Sequence, residues 1–486
     1  MLFKIKNKIL GMSTGTKSAI TYTLATLFSR GLAIITVPIF TRIMTTSQIG
    51  TVNLYNSWYS LISAFATLSL TSGGYIVALN EFSEKRNEYQ SSVLTLTSII
   101  SVGLAVLFFI SPSFWKRITG LSYPLLLLML VGFLFAPARD FWLARQRYEY
   151  KYKLSAVVIV VSAVIASALS IIVVISLNKN GSQYVAEGRL FTNYLVIYGV
   201  AAVIWFSTFF KGKTFINIDY WRFSLSLSVP LIGYSIAAQI LSVSDRTMIS
   251  KMVDNSAVGI YSTLYTVSSL SLMIWQAIHA SFVPYLFKNI NNKEGNVKKI
   301  TNSLVIVYAF VAIGMTYFAP EIVKILATKD YYEAIYIMPP IAAGVFLTCF
   351  TNIYSDIPLF YKNTKYVMYP AVVAAVINLI LNYIFIQLFG YMAAAYTTLF
   401  SYIVWAILQA YWGRKLCRKN GLSTNSIFDD KILCIIAIVT ITMCLFGVLL
   451  YRSTVLRYTM ALTVVLGGIV VTYIFKKKGM IKKENI

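Results

Sequence analysis

Charge is what this sequence has least of. Only 12% of its 486 residues are Asp, Glu, Lys or Arg, against roughly 25% in soluble domains. That deficit excludes a string of soluble globular domains. A single histidine excludes multi-histidine metal centres. The four cysteines, Cys349, Cys417, Cys434 and Cys444, show no metal-ligand spacing and lie in apolar runs or basic connections. They read as packing residues with no disulfide role. Long connections are scarce too, and no segment has room for a soluble domain.

What is there is apolar. Hydrophobic residues make up 58% of the chain and recur in runs of about 20, the length that spans a bilayer as a helix. The sequence predicts an all-α polytopic membrane protein with about fourteen transmembrane helices. They fall near 18–40, 52–78, 91–111, 122–143, 154–177, 190–210, 224–249, 257–283, 301–319, 334–357, 367–388, 391–412, 432–450 and 456–475. Basic residues sort by side. Thirty fall in one set of connections, among them Lys4, Lys85, Arg145, Lys151, Lys211, Lys298, Lys362 and Arg414, and ten in the alternate set. The positive-inside rule places both termini in the cytoplasm, as an even span count requires. The net charge of +25 is then topology and attraction to anionic membrane lipid, and no nucleic-acid partner is implied. The basic N-terminus followed by Ile20–Phe40 reads as an uncleaved first span, since the run is long and holds Arg30.

Two stretches echo each other. Thr41–Leu61 aligns without a gap on Ser250–Leu270, matching Arg42 with Lys251 and Gly50 with Gly259. A weaker match sets Arg139–Tyr150 on Ser355–Tyr366, pairing Asp140 with Asp356; the offsets are 209 and 216. Six spans per repeat give both halves one orientation. The expectation is two six-helix lobes, 1–210 and 211–412, related by a pseudo-two-fold along the membrane normal. A cytoplasmic linker and a C-terminal helix pair, 413–486, form an appendage.

Mid-span polar residues are the candidate site. Arg30 sits near the middle of the first span, where a charge facing lipid costs about 2.5–3.5 kcal/mol. It is expected to face a water-filled cavity and grip an anion; the bland alternative is a tie between helices. Arg246 is the second candidate cavity cation, with Asp245 as partner to it or to an ion. The alternative there is a structural pair. Gln239, which the repeat sets against Arg30, is favoured for the cavity over the other mid-span amides Asn352, Asn378 and Asn382. Tyr22, Tyr55, Tyr234 and Tyr265 offer rings for stacking on sugars. Asp140 and Asp356 lie near cytoplasmic helix ends. Pairing with Arg139, Arg145 or Lys362 would close an inner gate, and either acid is a candidate for H+ or Na+ coupling. His279 reads as a packing histidine. Arg42 and Lys251, at matching outer ends, are exit-side cations or headgroup anchors. No catalytic residue, metal site or cofactor is expected beyond the coupling ion.

The same residues carry a family resemblance. PIFTRIMTTSQIGTVNLY (38–55), SVSDRTMISKMVDNSAVGIYSTLYTVSSL (242–270) and LFYKNTKYVMYPAVVAAVINLILNYIFIQLFGYMAAAYTTLFSYI (359–403) resemble Wzx-type polysaccharide repeat-unit flippases of the MOP (multidrug/oligosaccharidyl-lipid/polysaccharide) superfamily. One departure is Met392, where the family's second-lobe glycine usually stands. The resemblance implies a V-shaped two-lobe bundle in the bacterial inner membrane. It also implies translocation of an undecaprenyl-diphosphate-linked oligosaccharide, for capsule or O-antigen, by alternating access, with a polysaccharide polymerase and glycosyltransferases as pathway partners. Substrate-binding Arg30, Arg246, Gln239, Asn378 and Tyr234 suit that cargo, because an arginine fork binds two diphosphate oxygens. The alternatives are a lipid II flippase, a MATE-like exporter and a membrane-embedded polymerase. Arg30 opposes a cation exporter, and the short, thinly charged outer loops oppose the polymerase.

Overall fold

The computed structural model describes residues 14–70, 74–290, 297–422 and 427–477. Lys4, Lys6, Lys8, Lys293, Lys478, Lys482 and Lys483, which entered the charge count, lie outside the described residues. Among the described residues the structure is helical and contains no strand. Ten helices among the described residues are long and apolar enough to cross a membrane, or twelve if each of two bent pairs is one span. Chain contacts divide the protein into two compact units, 1–239 and 240–486.

The first unit holds α1 (Thr14–Ile43), α2 (Thr46–Ala66), α3 (Gly74–Glu81), α4 (Arg86–Ile110), α5 (Pro112–Thr119), α6 (Tyr123–Tyr148), α7 (Tyr152–Lys179) and α8 (Val185–Gly212). It also takes the start of α9 (Ile218–Met252). Those first turns of α9 are fixed by a bond between the Tyr89 and Ser224 hydroxyls (2.8 Å) and by the Trp221 indole donating to the Ser92 carbonyl (2.9 Å). Tyr75, Tyr89, Phe141 and Tyr220 form the aromatic core beneath. The expected span at 52–78 is less regular than foreseen. It breaks after Ala66, where Leu68 and Ser69 take left-handed conformations, and resumes as the short α3.

The second unit holds the rest of α9, then α10 (Asn255–Ser268), α11 (Ser271–Asn289), α12 (Val297–Tyr317), α13 (Ala319–Leu326), α14 (Met338–Phe360), α15 (Lys365–Phe389), α16 (Ala393–Lys419), α17 (Asp430–Leu450) and α18 (Thr454–Lys477). Helix α9 bends by 49° between its segments Ile218–Val229 and Ile232–Met252. Pro230 falls at this break, and proline has no N–H to give the helix ladder. Apolar burial drives helix association weakly in lipid, so close approach has to come from small residues. Helices α14 and α16 illustrate this. A Cβ on Gly413 would come within 2.8 Å of the Tyr354 carbonyl oxygen, and one on Gly344 would touch Leu399.

The sequence echo has a structural meaning. Thr45, which caps α2, and Asp254, which caps α10, occupy the same position in the gapless alignment. The Thr45 hydroxyl accepts from Gln48 N–H (3.2 Å), and the Asp254 carboxylate from Ala257 N–H (2.7 Å). Each oxygen satisfies an N–H that the helix start leaves unpaired. Both stretches are therefore helix–cap–helix corners.

The second echo needs a correction in register. Helices α6 and α14 end alike, with a left-handed residue, Tyr150 or Lys362. The following N–H bonds back to the Gln146 or Pro358 carbonyl, at 2.9 and 2.8 Å. These caps lie 212 residues apart, near the first offset and four residues, about one helical turn, from the 216 read in sequence. In that register Asp140 matches Asn352 rather than Asp356. A third echo was invisible in sequence. Helices α5 and α13 are both eight residues long, start with proline in the first turn and end with Lys116–Arg117 or Lys324.

The C-terminal pair is no loose appendage. Helix α17 packs on α12 and α14, and α18 on α12. Charged and hydroxyl groups clamp them. At the start of α17, Lys298 pairs with Asp429 (2.9 Å), Arg414 with Asp430 (2.9 Å), and Tyr354 donates to Asp430 (2.7 Å). At the α18 end, Arg457 pairs with Glu321, which also accepts from Tyr458 (2.8 Å).

Candidate functional site

Helix α1 presents Arg30 on an exposed part of the fold, although apolar residues flank it on both sides. Gln239 is half-buried, and its amide oxygen accepts from the Ser60 hydroxyl at 2.7 Å. Both residues belong to the first unit. Tyr234 is also half-buried. Arg42 is exposed and donates to the Pro38 carbonyl at 2.7 Å, which holds it along its own helix, and Lys251 is exposed at its matching position.

The rings behave differently from the sequence expectation. Tyr55 is fully buried in a cage with Tyr59, Tyr194 and Tyr198, its centroid 5.3 Å from that of Tyr194. The Tyr194 hydroxyl donates to Asn56 (2.9 Å). Gly132 makes room for this cage, because a Cβ there would collide with the Tyr198 ring. Tyr22 lies under the Arg147 guanidinium (4.7 Å) and Tyr265 under that of Arg246 (4.6 Å). In this conformation Tyr22, Tyr55 and Tyr265 spend their faces inside the protein.

The second unit buries an adjacent acid and base. Asp245 is 0% exposed and Arg246 8%. Arg246 donates its backbone N–H to the Asp245 carboxylate (2.8 Å), lies 3.4 Å from it through its guanidinium, and also reaches the Ser242 carbonyl. The Asp245–Arg246 pair is thus a compact buried unit, its guanidinium lying over the Tyr265 ring.

Asn378 and Asn382 are also fully buried. Ser244 donates to Asn378 (3.1 Å), Asn382 donates to Asn378 (3.1 Å), and Thr397 donates to Asn382. This network ties α9, α15 and α16 together. Asn378, placed among the substrate ligands by sequence, is here a joint between helices.

Asp356 has a partner that sequence reasoning missed. Its carboxylate lies 2.9 Å from His279 Nε2, and the His279 ring stacks on Trp275, whose indole donates to Asn352 (2.8 Å). Neither Lys362 nor Arg145 takes the roles expected of them at the acids. Arg145 binds Glu149, Asn87 and Gln90 instead. Asp140 is exposed, beside the half-buried Arg139. The His279–Asp356 pair joins residues 77 apart in sequence, and no local motif announces it.

This arrangement of helices occurs in solved membrane transporters. A lipid II flippase, MurJ, in an inward closed conformation superposes with a TM-score of 0.67 at 16% identity, over 95% of this chain and 100% of that one. An inward-facing multidrug resistance MATE family transporter of the MOP superfamily superposes with a TM-score of 0.61 at 14% identity, over 86% and 98%. At such identities the likeness is one of fold: the chain is a multi-pass membrane protein with the architecture of these transporters. More specifically, residues 16–290, over half the chain, match the polysaccharide biosynthesis protein family, and the chain belongs to that family. A probable low-salt glycan biosynthesis flippase, Agl15, of Haloferax volcanii is 26% identical over 213 residues. That match spans 42% of this chain and 44% of the relative, less than half of each.

Proposed function

We propose that the protein is a flippase of glycan biosynthesis and that its cargo is an oligosaccharide linked through diphosphate to a polyprenyl lipid such as undecaprenol. It would carry this cargo from the cytoplasmic to the outer leaflet of a bacterial cytoplasmic membrane by alternating access. The two repeats, read from sequence as 1–210 and 211–412, would be the moving parts, with the start of α9 travelling with the first unit that it is bonded to, and both termini would be cytoplasmic. Family membership and the flippase relative support the class of cargo. One observation carries the mechanism: Arg30 stands exposed in mid-span. Lipid there would cost it about 2.5–3.5 kcal/mol, whereas a hydrated cavity would let its planar fork grip a diphosphate. Gln239 and Tyr234 supply the weaker hydrogen-bonding and ring surfaces that sugars require. Arg246 is a reserve cation that becomes available if its contacts with Asp245 and Tyr265 open. Arg42 and Lys251 would receive the diphosphate at the outer side.

Ion coupling is assigned to the second unit. The buried Asp356 carboxylate, 2.9 Å from His279 Nε2, would carry the coupling ion, because acids inside membrane spans mark ion and proton paths in transporters. The test is genetic and chemical together. Deleting the gene is expected to remove the surface polysaccharide, capsule or O-antigen, and to strand lipid-linked repeat units on the cytoplasmic side. Full surface polysaccharide in the deletion strain would sink the proposal.

A further inference from the structure

The first unit carries two adjoining clefts that the flippase reading leaves unused. One, of about 490 Å³, is lined by the ends of α4, α6, α7 and α8 that carry the basic connections. Arg145, Lys151 and Lys211 stand at it, with Glu149 as the one carboxylate among the described residues that line it. Glu149 is already committed. It accepts from Arg145 (2.7 Å) and Lys151 (2.6 Å). Partial burial pushes its carboxyl up, but the bonds from Lys151 and Arg145 outweigh that and hold it below the usual range, so it stays ionised. Three cations against one carboxylate leave the cleft with a net charge of +2, and Lys211 stands outside the pairing.

Its other wall is apolar. Leu154 and Val158 of α7 and Val203 and Ile204 of α8 continue away from the basic end. Leu154 is 58% and Val203 71% exposed, as side chains facing acyl chains would be. The second cleft, about 610 Å³, lies at the same α6–α7 turn and adds Arg86 and Arg147. Those two guanidiniums are held over the rings of Tyr148 and Tyr22, at 5.1 and 4.7 Å. The left-handed Tyr150 makes the tight turn that places Lys151 at both clefts.

A basic end joined to an apolar wall matches one kind of molecule, an amphiphile with an anionic head. We propose that this turn is a binding site for an anionic phospholipid, with the phosphate on Arg145, Lys151 and Lys211 and an acyl chain along Leu154, Val158 and Val203. Basic pockets between transmembrane helices bind anionic headgroups by this same complementarity. A free phosphate would leave the apolar wall unused. Only the choice of leaflet, the cytoplasmic one, rests on the topology proposed above; the site itself does not depend on the cargo.

The test uses the delipidated full chain in neutral detergent, with melting temperature followed against added phosphatidylglycerol, phosphatidylcholine or inorganic phosphate. Phosphatidylglycerol alone is expected to raise the melting temperature in a saturable way. Basic residues near a membrane surface each add to the affinity for anionic lipid, so K151A/K211A is expected to need roughly thirtyfold more phosphatidylglycerol for the same shift. Lys151 and Lys211 are exposed, so this variant should melt near the parent without lipid. Val203→Trp, which fills the apolar wall, should weaken the lipid response with the cations intact. Equal responses of parent and K151A/K211A would overturn the proposal, as would equal shifts with phosphatidylcholine or with phosphate. Flipping in proteoliposomes separates the cargo from the phospholipid. If K151A/K211A loses transport in phosphatidylcholine vesicles, where no anionic phospholipid is present, the site belongs to the cargo's diphosphate and the proposal fails. Because the melting assay involves no transport, it stands or falls apart from the flippase reading.

Discussion

The two units share a plan and differ in what they bury. Each has a helix–cap–helix corner, a broken second span and a short proline-started helix before its most buried long one. Inside the first unit lies a tyrosine cage, while its mid-span cation Arg30 and its acid Asp140 are exposed. The second unit buries Asp245, Arg246, Asp356, Asn378 and Asn382, each with a partner. A duplicated framework has thus been filled with two chemistries. The first exposes a mid-span cation, Arg30, and the second holds its buried acids Asp245 and Asp356 in internal bonds. That division underlies the assignment of cargo binding to one unit and ion coupling to the other.

The comparison can be broken most forcefully at Asp245. Removing one member of a buried ion pair leaves the other stranded, at a cost of about 3–5 kcal/mol. Asp245→Ala is expected to lower the melting temperature sharply, and Asp245→Leu with Arg246→Leu to recover most of the loss. If the single change is silent, the second unit's charges are not structural. In the first unit the corresponding attack is steric. Gly132→Ala drives a methyl into the Tyr198 ring, an overpacking that costs about 1–3 kcal/mol, and should be visible as reduced yield and melting temperature.

Milder changes sharpen the division of labour. His279→Ala and Asp356→Asn should each flatten the pH dependence of transport while leaving binding of the lipid-linked cargo intact; an unchanged pH profile in both would remove this pair from the coupling role. Tyr194→Phe deletes the bond to Asn56 for about 0.5–1.5 kcal/mol and should spare transport. The smallest effect is expected at Asp429. The Lys298 ammonium holds its carboxyl below the ordinary range. A carboxyl depressed in the fold stabilises above its unfolded pKa of about 3.9 and loses that contribution as pH falls through the lower folded value. Asp429→Asn should therefore trim stability slightly at neutral pH and leave it unchanged in strong acid.

Most of the fold was legible because lipid makes helices announce themselves as apolar runs. Twelve of the fourteen expected spans appear as qualifying helices or bent pairs. The two that fall short are instructive. At 52–78 the Tyr, Ser and Thr that dilute the apolar signal belong to a helix that breaks at Leu68–Ser69. The final helix stands as a shorter apolar stretch, Thr454–Gly468. The cap corners were visible as an echo, because Thr45 and Asp254 act locally. By contrast, the His279–Asp356 pair, the Asn378 network and the tyrosine cage are made by residues from different helices, and no spacing rule brings those together. Charge alone placed the basic residues by side, yet it did not reveal that Glu149 gathers Arg145 and Lys151 at one turn.

Arg30 tests the account most directly. In proteoliposomes that report the movement of a fluorescent diphosphate-linked oligosaccharide lipid, Arg30→Ala is expected to lose at least tenfold in flipping rate at equal protein content, about 1.4 kcal/mol, with Arg30→Lys retaining part of it. Flipping by Arg30→Ala at the parent rate would contradict the claim that an exposed mid-span cation receives the anionic cargo.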